Sequence, residues 1–458
     1  MRPLPAGALL LYLFAFASIC GCGGGASGSS NAPVPPIGPA KQGKYFTHVV
    51  VLIQENRSFD NLFATFPGAD GTRSGLMKVL LHGQYIAKRI KLSQRSLIMD
   101  SDLTHCNAAF KTAYDDGKMD GFNLEHLGTC GAQAYAGRVP YQYVNPAEIR
   151  PYWDLAKQYV LADHLFQTQG SGSFVAHQDL IRGGTAVNGS ASLIDNPTAF
   201  PWGCDAPANT VTSLITTTGE YLKDRGPYPC LSYHTLRDLL DADQVSWRYY
   251  TPAIGANVAG DLFNAFDVIH DVRYGPEWSR NVVWPESTIL ADIANGTLPA
   301  VSWVVPNYHN SDHPGNKSDT GPSWVASVVN AIGKSPAWRS TAIVIVWDDW
   351  GGLYDHLAPP FKDDQGGLGL RVPAIVVSPF AKRGYVTHRV YEFGSIVRLI
   401  EDNWNLGRLG TTDQRSASLL PDAFDFAQKA RSYSSLTTRY SQEYLVRQPD
   451  SHHAVDDE

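Results

Sequence analysis

Residues 47–60 read THVVVLIQENRSFD. From Thr47 to Ile53 the side chains are β-branched or aliphatic almost without interruption. With no alternating polar positions, this is the pattern of a strand buried on both faces, as in a parallel sheet. The run breaks at Gln54 into a polar cluster that begins Glu55-Asn56. Three further runs have the same shape. Ala342–Trp347 (AIVIVW) ends in Asp348-Asp349-Trp350-Gly351-Gly352, Val301–Val305 (VSWVV) enters Pro306 and a histidine-rich loop, and Val372–Val377 (VPAIVV) precedes Ser378-Pro379. Helical patterns lie between and after them, from Pro322-Ser323 to about Ile332 and from Gly394 to about Trp404. Strands alternating with helices predict an α/β fold with a mostly parallel central sheet flanked by helices. In such sheets, sites collect beyond the carboxyl ends of the strands. Residues 64–145 and 185–300, richer in Gly, Asn and Tyr and less periodic, are expected to be loop-rich insertions.

The 458 residues are 43% hydrophobic and 11% aromatic, which supports a large core and excludes global disorder. Lys and Arg number 37 against 44 Asp and Glu, a net charge of −7, so no nucleic-acid-binding face is expected. An anionic substrate is still compatible with that charge, because a bound metal ion reverses the field locally. Arg2 followed by an apolar run from Ala6 to Ala17 predicts a signal peptide over residues 1–21. The segment Ile19-Cys20-Gly21-Cys22 resembles a bacterial lipobox, with Cys22 as the acylated residue. The chain is therefore expected to be exported, either anchored by lipid to a bacterial membrane or periplasmic or secreted. Residues 22–44 read as a Gly/Ser/Pro tether, 45–430 as the catalytic domain and 431–458 as a polar, poorly ordered tail. Apart from Cys20 and Cys22 in the export segment, four cysteines remain, and an even number in an exported chain suggests disulfides. Sequence neighbours give Cys106–Cys130 and Cys204–Cys230, one of three connectivities.

Several clusters could carry chemistry. Glu55-Asn56 offers a carboxylate and an amide carbonyl, hard oxygen ligands suited to a divalent cation, although the pair would equally serve a helix start. Asp348-Asp349 places two carboxylates side by side, which repel unless a cation or base compensates, and Gly351-Gly352 permits the tight turn that keeps them at a strand end. Ser173 sits in the small-residue loop Gly170-Ser171-Gly172-Ser173, where an exposed hydroxyl could act as nucleophile, with Ser171 as a lesser rival. The loop is not a nucleophile elbow, since position 175 is Val. His105, His313 and His356 lie in polar loops beside these segments and suit anion binding and general acid work.

Taken in order, HVVVLIQENRSFD (48–60), Gly117-Lys118-Met119-Asp120-Gly121-Phe122, WDDWGGLYDHLAPP (347–360) and GLRVPAIVVSPFAKRGYVTHRVY (369–391) with Ile400-Glu401-Asp402-Asn403 resemble the bacterial phosphoesterase family of the phospholipases C and an acid phosphatase. The resemblance covers roughly residues 45–410. It implies an alkaline-phosphatase-like fold and a single divalent metal ion, Ca, Mg, Mn or Zn, held by Glu55, Asn56, Ser173, Asp348 and Asp349. It implies a phosphoric-ester hydrolase in which Ser173 attacks phosphorus, a phosphoseryl intermediate forms, and His105, His313 and His356 stabilise charge or protonate the leaving group. The substrate would be a small phosphomonoester or a phospholipid headgroup. Ser173-Phe174-Val175-Ala176-His177-Gln178 is similar to the phosphatase-like branch, and the Thr followed by Pro-Asn-Arg that is more usual in the phospholipase branch is absent. The second acid is often Glu in relatives, so Asp349 keeps the charge with a shorter reach. Two alternatives remain at this level: a catalytically inactive ligand-binding surface lipoprotein, and a sulfatase-like ester hydrolase. The second would need a C/S-x-P-x-R context, and the segment at Ser173 lacks it.

Overall fold

The computed structural model describes Met1 and residues 35–255, 259–361 and 367–449. The expected signal segment beyond Met1, Cys22 with the start of the expected tether, and residues 450–458 lie outside the described residues. By internal contacts the chain divides into Met1–Pro33 and Val34–Glu458, and the second unit holds every described element.

Eight strands form the central sheet: β1 (His48–Gln54), β2 (Val160–Ala162), β3 (Trp247–Tyr250), β4 (Val282–Val283), β5 (Val301–Val304), β6 (Thr341–Trp347), β7 (Ala374–Val377) and β8 (Tyr385–Thr387). Their order is β4-β3-β5-β1-β6-β7-β2-β8. All neighbours pair in parallel except those of β7, which runs against both β6 and β2. The α/β fold with a mostly parallel sheet is thus as the sequence implies, and each of the four apolar runs contains a strand. The reversal of β7 is the difference: Ser378-Pro379 leave at the edge opposite to the ends of β1, β5 and β6. An antiparallel neighbour needs no crossover helix, so the segment joining β6 to β7 is free to be a long loop.

Helices α1 (Arg150–Gln158), α2 (Ser173–Arg182), α3 (Gly321–Lys334) and α4 (Phe393–Trp404) contribute buried faces to the core around the sheet. Pro322 opens α3, and a reciprocal pair of bonds between Glu392 and Ser395 caps α4. Nearly every side chain of β1 and all of β6 are out of water, each apolar one contributing roughly 1.5–3 kcal/mol. The insertions carry a hairpin (Ser74–Leu81 with Gln84–Lys91), a four-stranded antiparallel sheet within residues 186–222, and the two disulfides, Cys106–Cys130 and Cys204–Cys230. That pairing is the one expected from sequence neighbours.

The described part of the expected tail is not loose. Leu436 and Leu445 are buried, Asn330 Nδ2 donates to Leu436 O, and Asn310 Nδ2 donates to Leu445 O. A few apolar side chains in a polar context suffice to seat residues 431–449. Residues from the end of the tether also make contacts, with Arg248 Nη2 donating to Pro35 O and Trp404 Nε1 to Lys41 O. Among the described residues no helix is long and apolar enough to cross a membrane.

Candidate active site

The register of the sheet pairs Gln54 with Trp347. The next residues, Glu55-Asn56 and Asp348-Asp349, therefore leave the carboxyl edge side by side, and all four are completely buried. Asn56 adopts a left-handed backbone (φ 50°), which Asn tolerates better than most residues. Its N–H donates to Asp348 Oδ1 at 2.9 Å. The turn after the acid pair packs as closely: a Cβ on Gly351 would meet Asn56 O at 2.3 Å, and one on Gly352 would meet Leu103 Cβ at 2.4 Å. Both glycines have positive φ, so neither position accepts a side chain.

Ser173 is the first residue of α2 and is buried against this pair. Its hydroxyl donates to Asp349 Oδ2 at 3.0 Å. The amide of Asn56 donates to Ser173 Oγ at 3.3 Å and to Asp349 Oδ2 at 3.2 Å. Ser171, the rival, is turned elsewhere: it donates to Asp195 Oδ1 and accepts from Asp195 N. One helical turn beyond Ser173, His177 brings Nε2 to 3.3 Å from Glu55 Oε1 and 3.7 Å from Asp348 Oδ2. Ligand atoms of Glu55, His177 and Asp348 all lie within 4.8 Å of one another, the spacing of a metal cradle. Burial first, and the charge of Glu55 second, push Asp348 up to about 8, against the opposing pull of His177 and the Asn56 N–H. Asn56 Oδ1 and Asp348 Oδ2 are buried and accept no hydrogen bond. Orphaned hard oxygens in a crowded acidic site fit a divalent cation.

His105 and His313 stand over this cluster. His105 Nδ1 donates to Leu103 O at 2.7 Å, which leaves Nε2 to accept from Asn56 Nδ2 at 3.0 Å, 3.6 Å from Asp349 Oδ2. His313 Nδ1 donates to Pro314 O, and its ring centroid lies 6.3 Å from that of His105. Gln54 anchors the loop that carries His313, donating to Asn310 O and accepting from Asp312 N. The Asp312 carboxylate accepts from Tyr152 OH and Trp347 Nε1, while Arg57 Nε donates to its backbone carbonyl. Burial pushes Asp312 up to about 6 despite Arg57.

His356 does not join this group, contrary to its expected role. Its Nδ1 lies 2.7 Å from Asp60 Oδ2 and its Nε2 3.2 Å from Asp70 Oδ1. Arg371 completes the second cluster, pairing with Asp355 at 2.9 Å. Burial lowers the affinity of His356 for a proton, but Asp60 outweighs it and the imidazole titrates at about 9. The Gly351-Gly352 turn separates the two clusters, so that Asp348 and His356, eight positions apart, serve different ones. The Met119-Asp120-Gly121-Phe122 segment supplies packing rather than a ligand, with Phe122 against Trp350 and Tyr354 of the acidic loop. Sequence reasoning assigned no role to His177 or Asp312. The first had a signal, its position four residues after Ser173 in a helical run, which sets both on one face.

A family model described as the Phosphoesterase family matches residues 46–407, a span that includes every residue named in this site. Curated relatives include the non-hemolytic phospholipase C of Pseudomonas aeruginosa, 25% identical over 435 residues, 83% of this chain and 57% of that protein. Phospholipase C B of Mycobacterium tuberculosis is 24% identical over 425 residues, 83% of this chain and 78% of that protein. The chain thus spans little more than half the length of the Pseudomonas protein. Among solved structures, a protein in the alkaline phosphatase superfamily from Vibrio parahaemolyticus is 10% identical with a TM-score of 0.38, over 84% of this chain and 73% of that one. With the family match running through most of its length, from the residue before Thr47 to beyond α4, the chain belongs to the Phosphoesterase family.

Proposed function

We propose that the chain hydrolyses phosphoric esters, with Ser173 as nucleophile and one divalent metal ion held by Glu55, Asn56, Ser173, Asp348 and Asp349. The observation that carries this reading is the bond from Ser173 Oγ to a completely buried carboxylate within an acid-crowded cradle. When bound, a divalent cation supplies a Lewis acid that lowers the pKa of a hydroxyl and neutralises phosphoryl oxygens. The chain's own residues do the rest. Asp349 is placed to accept the Ser173 proton as the Oγ–P bond forms and the ester P–O bond breaks. One of His105 and His313, in its imidazolium form, protonates the leaving alkoxide while both stabilise the phosphoryl charge; because Nδ1 of each is committed to a backbone carbonyl, the proton leaves from Nε2. Asn56 holds Oγ through its amide. Water then attacks phosphorus as the phosphoseryl P–O bond breaks; the imidazole takes the proton of the water, Asp349 returns the first proton to Ser173 Oγ, and the phosphate departs.

Two substrate classes fit. The relatives' names point to phospholipids, whereas Ser173-Phe174-Val175-Ala176-His177-Gln178 points to phosphomonoesters. Residues 45–430 form the catalytic domain in this reading. The chain is exported, with Cys22 as a lipid attachment point, a reading supported by the apolar N-terminal run and by two disulfides of the kind that persist in oxidising compartments. The test is turnover of an aryl phosphate monoester beside phosphatidylcholine, with and without chelator, for the native chain and Ser173→Ala. Chelation and Ser173→Ala should each abolish turnover. Near-normal turnover by Ser173→Ala would discard the nucleophile assignment in favour of Ser171. Bound metal with no turnover of any ester would favour a ligand-binding lipoprotein.

A further inference from the structure

The hairpin formed by Ser74–Leu81 and Gln84–Lys91 is pinned at one end and bare at the other. At its base, Leu76 N donates to Tyr354 OH, Tyr141 OH donates to Leu76 O, and Asn123 exchanges two bonds with the backbone of Lys78. Tyr354 belongs to the loop that carries Asp348-Asp349, so the base of the hairpin is tied to that loop. At its far end a two-residue turn, His82-Gly83 with both φ positive, closes the strands. The side chains around that turn are Leu80, Leu81, Tyr85 and Ile86, which are 64%, 49%, 58% and 43% exposed.

The register shows how these side chains are distributed. Leu80 faces Tyr85 across the strands, and Val79 faces Ile86. Successive residues point to opposite faces. Leu80 and Tyr85 therefore make one face apolar, while Val79, Leu81 and Ile86 make the other apolar. A tip that is apolar on both faces is not a surface for docking one folded partner, which would cover one face and leave the other in water. Charge adds a second constraint. From residue 71 to 99 the chain holds Arg73, Lys78, Lys88, Arg89, Lys91 and Arg95 and no acidic residue, within a protein whose net charge is −7. Lys78 is taken up by Asp115, but Lys88, Arg89 and Lys91 are exposed on the outer strand. At about 3.4 Å per residue, Lys88 lies roughly 7 Å behind Ile86. An apolar tip immersed about 5–10 Å into a bilayer would thus bring Lys88 and Arg89 to the level of the lipid phosphates, while Lys91, roughly 17 Å behind Ile86, stays above them.

We propose that this hairpin docks the protein on a lipid bilayer carrying anionic headgroups, with Leu80, Leu81, Tyr85 and Ile86 inserted and Lys88 and Arg89 at the phosphates. The docking goes beyond the hydrolase reading and does not require it. The test uses the full chain with Cys20→Ser and Cys22→Ser, so that no acyl chain contributes, and vesicles of phosphatidylcholine with about a third phosphatidylglycerol. Sedimentation with vesicles should weaken at least about tenfold in Leu80→Ser/Leu81→Ser/Ile86→Ser. It should weaken about fivefold per charge in Lys88→Gln and Arg89→Gln, and in the native hairpin it should fall with added salt. Because the altered side chains are exposed, the thermal midpoint should not change. An environment-sensitive dye on Leu81→Cys should shift to the blue on vesicle addition. Equal sedimentation of the native and triple-serine hairpins, or no dye shift, overturns the proposal. So does an oligomer that the triple substitution dissolves while vesicles have no effect, since the tip would then be a protein contact. A chain that binds vesicles but turns over no ester leaves the docking intact and sinks the hydrolase reading, while the converse result sinks the docking alone.

Discussion

Two clusters of buried acids stand next to each other, built from the same two segments of chain, yet they are neutralised in opposite ways. Around Ser173, the carboxylates of Glu55, Asp348 and Asp349 meet imidazoles, an amide and a hydroxyl, and Asp348 keeps its proton up to about 8. Five residues beyond Glu55 and seven beyond Asp348, Asp60 and Asp355 meet Arg371 and His356, which carry the compensating charge. The second cluster is complete as the chain supplies it and does structural work, tying the end of the first motif to the loop after β6. The first has orphaned acceptors and an excess of acid, an arrangement that fits a cation from outside. Balance, more than the kind of residue, separates a site from a strut.

The largest test of that division is Ser173→Ala. It should reduce turnover by about a thousandfold or more while the unfolding transition stays in place, because the role proposed for the hydroxyl is in chemistry and not in packing. Arg371→Met should do the reverse. Leaving Asp355 and Asp60 buried without their partner should cost about 3–5 kcal/mol in chemical denaturation. A stable Arg371→Met protein would mean that the second cluster is not the strut described. Next is the response to metal. A divalent ion at about a hundred times its Kd should stabilise the native chain by about 2.7 kcal/mol and Asp348→Ala hardly at all. The increment should grow as pH rises towards 8, since the metal-free fold binds a proton at Asp348 that the unfolded chain releases near 3.8, and loses stability across that interval. Calorimetry showing equal metal increments in the two proteins would break the comparison. The smallest effect belongs to His356. Its raised titration means its contribution is complete below about 6.5 and is lost as pH climbs through about 9. With metal bound, His356→Gln should flatten the alkaline limb of the stability profile, and an unchanged limb would show that the imidazole does not carry it.

Much of this was legible in the chain. β1 and β6 announce themselves because a strand buried on both faces has no polar alternation, and their acid pairs stand out because they follow at once. The direction of β7 was not legible, since an apolar run of that length reads the same either way. His356 was misplaced for a related reason: a histidine in an acidic loop has the same sequence context whether it faces a substrate or a neighbouring aspartate. Here the decision was made by two glycines with positive φ, which turn the chain between Asp349 and Asp355. His177 lay in plain view, but a helix face becomes informative only once its first residue is known. The seating of Leu445 depends on contacts more than a hundred residues away and leaves no local trace.

The pairing of Gln54 with Trp347 also bears on how such a protein can vary over time. Glu55-Asn56 and Asp348-Asp349 take their mutual position from a ladder whose side-chain period is two, so losing a single residue within either strand would exchange its two buried faces and misfit both packed layers, and losing two would slide one pair past the other by about 7 Å. Substitutions there can be conservative, but changes of length cannot. Lineages descending from such a chain should carry their insertions and deletions in the segments between strands, and β1 and β6 should keep their residue count long after their letters have drifted.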